Sequence, residues 1–171
     1  MKLLACLLAC LSLSLLAQKP RQPADDPTGA KIAALQKQRA EALGRERVRS
    51  KADLCTRGDD GVEPTVAYCW LREGKTTDGD YATYVRAIGA LLRLPPRSNR
   101  PTPLPAGPAQ RLGFDTAEAT WLSYRKQTCD AMTAQWEGGT LGRTAYPKCL
   151  VTVTWDHMNE LEDLYSDLAG H

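Results

Sequence analysis

Apolar residues recur along this chain at helical rather than strand spacing. Tyr81, Tyr84, Val85, Ile88, Leu91 and Leu92 fall at i, i+3, i+4, i+7, i+10 and i+11, which predicts a helix with one apolar face. That helix is expected to stop before Pro95-Pro96, because a residue ahead of proline is pushed out of the helical region. Upstream, Pro64 suits the first turn of a short helix carrying Val66, Cys69 and Trp70. Gly74 and Gly79 are expected to interrupt the pattern between the two. Downstream, Asp115-Thr116-Ala117-Glu118 reads as a capping box that opens a helix carrying Trp121, Leu122, Arg125, Cys129, Met132 and Trp136. Gly138-Gly139 would end it, and a loop would run to Pro147. The last helix is expected to place Cys149, Leu150, Val153, His157, Leu161, Leu164 and Leu168 on one side. Val151 to Trp155 has local strand propensity, which the surrounding helical period overrides.

The flanking segments follow other patterns. Residues 1–17 begin with Lys2, continue as an apolar or small-residue run and end at Ala17, the layout of a cleaved secretory signal peptide. The run is short for a membrane span, which needs about 20 residues. Leu7-Leu8-Ala9-Cys10 also resembles a lipobox, which would anchor the chain through Cys10; cleavage near Ala17 is the preferred reading. Residues 18–54 read as a proline-rich tether followed by a flexible basic arm. Ile32, Leu35 and Leu43 make only a thin stripe there, so the arm is expected to be a solvated helix or frayed. It carries nine basic and five acidic residues, a net of +4, and could touch an anionic envelope surface. Residues 55–171 form the expected folded domain, with 95–108, which hold six prolines, as an internal loop.

Composition narrows the class. With 22 Lys+Arg against 20 Asp+Glu in 171 residues, the net charge of +2 lacks the basic footprint of a nucleic-acid binder. Removing the signal leaves Cys55, Cys69, Cys129 and Cys149. An even count in an exported chain reads as disulfides. Three pairings are possible, and Cys55–Cys69 with Cys129–Cys149 is preferred because each encloses a short loop. Each closure would contribute about 3 kcal/mol. The expectation is therefore an all-α, small helical bundle with two local disulfides.

No catalytic constellation is present. There is no nucleophile elbow, phosphate loop or HExxH motif. His157 and Glu160, with Asp156 beside them, read as a solvated acidic face rather than a metal site, and no metal or cofactor is expected. Trp121, Trp136, Trp155 and Tyr124 read as packing rather than as a ligand box. Trp121 and Arg125 lie one turn apart, so the indole can cover the guanidinium stem.

The second half carries a resemblance. Trp121-Leu122-Ser123-Tyr124-Arg125, then Cys129, Gly138-Gly139-Thr140, Cys149, Leu150, Val153, Thr154 and Leu161 together resemble the LprI-type lysozyme inhibitor domain. Cys69, Asp78 and the helix from Tyr81 are similar to its first cysteine-bearing helix. The likeness spans roughly residues 55–168. The chain departs from the family pattern at Tyr81-Ala82, at Lys126, at His157 and in the long insert 95–108. The resemblance implies an exported helical protein of the periplasm or cell envelope that binds and inhibits lysozyme and is not an enzyme. A structural envelope protein of the same fold is the alternative.

Trp121, Arg125, Thr154 and Leu161 are then its structural motif residues. The candidate contact element is the loop of Glu137, Gly138, Gly139, Thr140, Leu141, Gly142 and Arg143. Its glycines allow close backbone approach, and Arg143 suits the paired carboxylates of a glycosidase cleft. Residues 115–171 hold nine acidic and four basic residues, a net of −5, which would steer a basic partner.

Overall fold

The computed structural model describes residues 27–52, 54–55, 63–94, 107–136, 139 and 141–169. The expected signal peptide, most of the tether and most of the proline-rich insert lie outside them. Four helices follow one another: α1 Pro27–Ser50, α2 Glu63–Leu91, α3 Gly107–Ala134 and α4 Gly142–Tyr165, with a short 3-10 turn at Ser166–Ala169. No described residue is in a strand. None of the described helices is long and apolar enough to cross a membrane.

The apolar stripe of α2 makes the centre. Tyr81, Tyr84, Ile88, Leu91 and Leu92 are buried, and Val85 packs against them half-buried. α1 adds Ala42 and Leu43, α3 adds Phe114, and α4 adds Met158 and Leu161. Burying a side chain such as Ile88 contributes about 2 kcal/mol. α1 packs mainly on α2, α2 on α4, and α4 on α3, so α2 and α4 form the middle of the molecule.

Both disulfides form as expected: Cys55–Cys69 and Cys129–Cys149, each with 5.6 Å between Cα atoms. The first ties the segment before α2 to the second turn of that helix. The second joins α3 to α4 and closes a helical hairpin.

Four local expectations are corrected. First, α2 runs unbroken through Gly74 and Gly79. A Cβ at Gly74 would meet only Val151 at an ordinary 3.9 Å and one at Gly79 would meet nothing, so neither glycine serves a turn. Packing of α2 against α1 and α4 outweighs their weak helix propensity. Second, α3 begins at Gly107, two turns before Asp115. Asp115 therefore caps nothing and instead pairs with Arg111 one turn back. Third, α4 begins at Gly142 and takes Pro147 into its early turns.

Fourth, the buried face of α4 is Pro147, Val151, Thr154, Met158 and Leu161, together with Cys149 and His157, while Leu164 is 68% exposed. The expected face is rotated toward Val151, Thr154 and Met158, where Thr154 finds Arg125 as a partner, while His157 and Leu161 stay on the side expected of them.

The expected flexible arm is the packed helix α1. Its grip comes less from the thin apolar stripe than from charge. Arg39, buried, donates to the Tyr165 carbonyl at 2.8 Å and to Glu162. Arg45 bonds Asp80, Arg47 bonds Asn159, and Arg49 bridges Glu46 and Glu73. These arginines are engaged with α1, α2 and α4.

Candidate functional site

Two polar assemblies occupy the hairpin of α3 and α4. The inner one is built on Trp121. The His157 ring stacks on the indole, with centroids 3.9 Å apart and planes within 10°. The Arg125 guanidinium lies 5.4 Å from the same indole. Arg125 donates to Asp78 of α2 at 2.7 Å and to the buried Thr154 hydroxyl of α4 at 2.8 Å. Thr154 in turn bonds the Leu150 carbonyl, one turn back. One guanidinium thus holds three helices together.

His157 is buried, not on a solvated face as the sequence suggested. Its Nε2 faces Glu118 of α3 at 3.2 Å and its Nδ1 faces Glu160 at 3.3 Å. A carboxylate only accepts, so a doubly protonated ring serves both sides and a neutral ring one. The Tyr81 hydroxyl donates to the same Glu118 at 2.6 Å. Burial, and then the Glu118 carboxylate beside it, push the Tyr81 phenol well above its usual range. It remains a donor at every physiological pH. The layer is buried at Tyr81, Glu118, Thr154 and His157 and opens to solvent at Asp78 and Glu160, and its bonds join α2, α3 and α4. Among the described residues no group of three His, Cys, Asp or Glu could hold a metal.

Three of the four motif residues, Trp121, Arg125 and Thr154, come together here. Leu161 sits further along α4 in the apolar core. Tyr81, Glu118 and His157 were missed as a set, because Glu118 reads as the end of a capping box and not as an inward acceptor for the other two.

The outer assembly is an open groove of about 480 Å³ at the end of the hairpin. Trp136 and Tyr146 supply its aromatic walls, Arg143 and Asp130 its charges, and Thr133 and Gly139 part of its floor and rim. α4 starts close to the end of α3: a Cβ at Gly142 would stand 3.4 Å from the Trp136 carbonyl and 3.9 Å from the Thr133 methyl. The Gly139 amide donates to that same carbonyl at 2.9 Å, which closes the turn after α3. The Cys129–Cys149 bridge lies just behind, and both of its cysteines are buried.

Of the expected contact loop, Gly139, Gly142 and Arg143 reach this groove. Glu137, Gly138 and Thr140 lie outside the described residues. Asp130, Trp136 and Tyr146 are additions. Trp136 is not simply packed, since it is 41% exposed, and Met132 and Leu141 near it are also exposed. The available signal was position: Trp136 and Tyr146 flank the glycine turn on either side.

On the opposite part of α4 the solvent face is acidic. Asp156, Glu160, Asp163 and Asp167 fall at i, i+4, i+7 and i+11, and all are exposed.

A model of the family described as "Lysozyme inhibitor LprI" matches residues 55–161, well over half of the chain. The chain belongs to that family. No curated protein and no solved structure matches it. The matched segment contains the inner layer, both disulfides and the groove, whereas α1 precedes it.

Proposed function

We propose that this member of the LprI lysozyme inhibitor family is an exported protein that binds lysozyme and blocks its cleft with the groove end of the α3–α4 hairpin. The family match carries the choice of partner. Two formed disulfides suit an oxidising compartment outside the cytoplasm. The groove has the composition of a binding hot spot: an aromatic pair, an arginine and an exposed methionine beside them.

The roles divide along the hairpin. Arg143 offers a planar fork for a carboxylate, and a glycosidase cleft holds two. Trp136 and Tyr146 would cover the apolar wall of that cleft. The disulfide keeps the hairpin end in one shape, which reduces the ordering cost of binding. The acidic stripe from Asp156 to Asp167 begins about 20 Å along the helix from Arg143. It acts at longer range and steers a basic enzyme. Among the described residues no nucleophile or acid–base set is assembled in the groove, and its aromatic and charged lining suits recognition.

The test is a lysozyme turbidity assay with the purified chain, run beside melting curves for Arg143→Ala and Trp136→Ala. Each substitution is expected to weaken inhibition by about thirtyfold, the scale of a hot-spot truncation of about 2 kcal/mol, while the melting temperature stays. Full inhibition by both variants would remove the groove and leave the acidic stripe to be tested next. Absence of inhibition by the unaltered chain would contradict the reading itself.

A further inference from the structure

Leaving aside cations on its solvent rim, the seam between α1 and α2 holds more carboxylates than guanidiniums. Glu46, Glu73 and Asp80 lie in it, against the guanidiniums of Arg45 and Arg49. Arg72 reaches Glu73 from the solvent side at 3.6 Å and is 75% exposed, so it counts for little. Glu41 stands one turn away and pairs with Lys37 in solvent. From α4 the seam receives the neutral indole N–H of Trp155, which donates to Glu46. Fully ionised, three enclosed carboxylates face two guanidiniums, Arg49 enclosed and Arg45 53% exposed, which leaves one negative charge uncompensated beside the buried Glu46.

The same shortage shows at one atom. Asp80 Oδ1 accepts both Arg45 bonds, at 3.0 and 2.5 Å. Asp80 Oδ2 is buried and has no hydrogen-bond partner. Glu46 is 2% exposed and lies within hydrogen-bonding reach of Asp80. Its oxygens already accept from the Thr77 hydroxyl at 2.8 Å, from Trp155 and from Arg49. A single proton between the two carboxyls removes the excess charge and supplies the missing donor.

We propose that Glu46 and Asp80 share one proton while α1 is docked, and that α1 is a strap whose grip weakens when rising pH removes that proton. Burial, reinforced by the bond to Asp80, holds the Glu46 carboxyl above its ordinary value. Burial works upward on Asp80 as well, but the bonds from Arg45 and Glu46 outweigh it and hold Asp80 below.

The signs follow from the two directions. Docked Glu46 keeps its proton at a pH where released Glu46 has lost it. Its contribution to docking is therefore complete below the ordinary carboxylate value and is lost as pH rises through the raised one. The Asp80 contribution is present above its ordinary value and is lost as pH falls through the lowered one. Docking is tightest in weak acid. Along the falling limb one proton is linked, so the ratio of docked to released α1 drops about tenfold per pH unit. Release uncovers Thr77 and Trp155 and leaves the disulfide-braced hairpin in place.

The experiment is amide hydrogen exchange on the full chain from about pH 4 to about pH 8, spanning the carboxylate and neutral ranges. Protection is read relative to the intrinsic exchange rate at each pH. Protection of α1 amides is expected to fall with rising pH by up to about tenfold per unit, while α3 amides hold level. In Glu46→Gln the amide is a permanent donor to Asp80 and still accepts from Thr77 and Trp155, so α1 protection should no longer depend on pH. Asp80→Asn leaves two carboxylates against two guanidiniums and should flatten the profile by the other route. It decides the matter if Glu46→Gln does not fold. A wild-type profile without slope, a slope shared equally by α3, or a slope that survives either substitution overturns the proposal.

Discussion

The two seams of this molecule are made differently. The α3–α4 hairpin is closed by a covalent bridge, and behind it a guanidinium, an indole and an imidazole stack in an order that links three helices. The α1–α2 seam has little apolar material, Ala42 and Leu43 on the α1 side, and is held by arginines and carboxylates. Covalent closure fixes shape without regard to pH or salt. An ionic seam holds only while its charges balance, because a buried unpaired charge costs several kcal/mol. The rigid region carries the groove and the family match. Of the seam that depends on its charge state, the α1 side precedes the match and the α2 side lies within it.

That contrast can be broken most severely at Glu46. Glu46→Ala removes the acceptor for Thr77, Trp155 and one arm of Arg49. It should cost about 4 kcal/mol in denaturant unfolding, the scale of breaking a buried charged pair. A loss no larger than that of an exposed residue would mean α1 is not held this way. Next comes the bridge: Cys129→Ser with Cys149→Ser reopens a loop with a sequence separation of 20. The expected loss is about 3 kcal/mol, and inhibition should fall with it, because the hairpin end is no longer fixed. Stability lost with inhibition intact would separate the bridge from the groove.

The inner layer gives a smaller effect. Trp121 is only half-buried against the core, so Trp121→Ala should lower stability by about 2 kcal/mol, less than truncating a fully buried aromatic. The matching readout is thermal melting, with lysozyme binding measured at a temperature where the variant is folded. The smallest effect has the opposite sign. Gly79 sits in mid-helix with open space beyond its Cα. Gly79→Ala should therefore stabilise by about 0.5–1 kcal/mol. Destabilisation there would mean that α2 does bend at Gly79.

The same contrast explains what the sequence revealed. The apolar stripe from Tyr81 to Leu92, the pairing of Cys129 with Cys149 and the neighbourhood of Trp121 and Arg125 could be read directly. Each rests on periodicity or short separation. The α1 docking could not be read, because Arg39, Glu46 and Asp80 are charged, and counting by period assigns charged residues to solvent. They go inward because other helices supply partners: Glu162 for Arg39, Arg45 for Asp80, and the neutral Thr77 and Trp155 donors for Glu46, and sequence spacing carries no record of that. Thr154 is polar and falls off the face of α4 that apolar spacing predicts, although its hydroxyl meets Arg125 of α3 inside. Asp115 and Glu118 matched a capping pattern, but α3 starts earlier and uses them for an ion pair and a buried acceptor. In the groove, Arg143 and Gly139 were legible from glycine chemistry. Asp130, Trp136 and Tyr146 join them only once the hairpin closes.

The central claim is that the hairpin end meets lysozyme and the ionic seam does not. Two indoles report on the two regions: Trp136 lines the groove, and Trp155 donates to Glu46 in the seam. Nuclear magnetic resonance of the nitrogen-labelled chain, titrated with unlabelled lysozyme, reads both N–H signals in one spectrum. The account predicts that the Trp136 signal shifts or broadens in step with binding while the Trp155 signal stays in place. A Trp155 signal that moves while Trp136 is unaffected would contradict it.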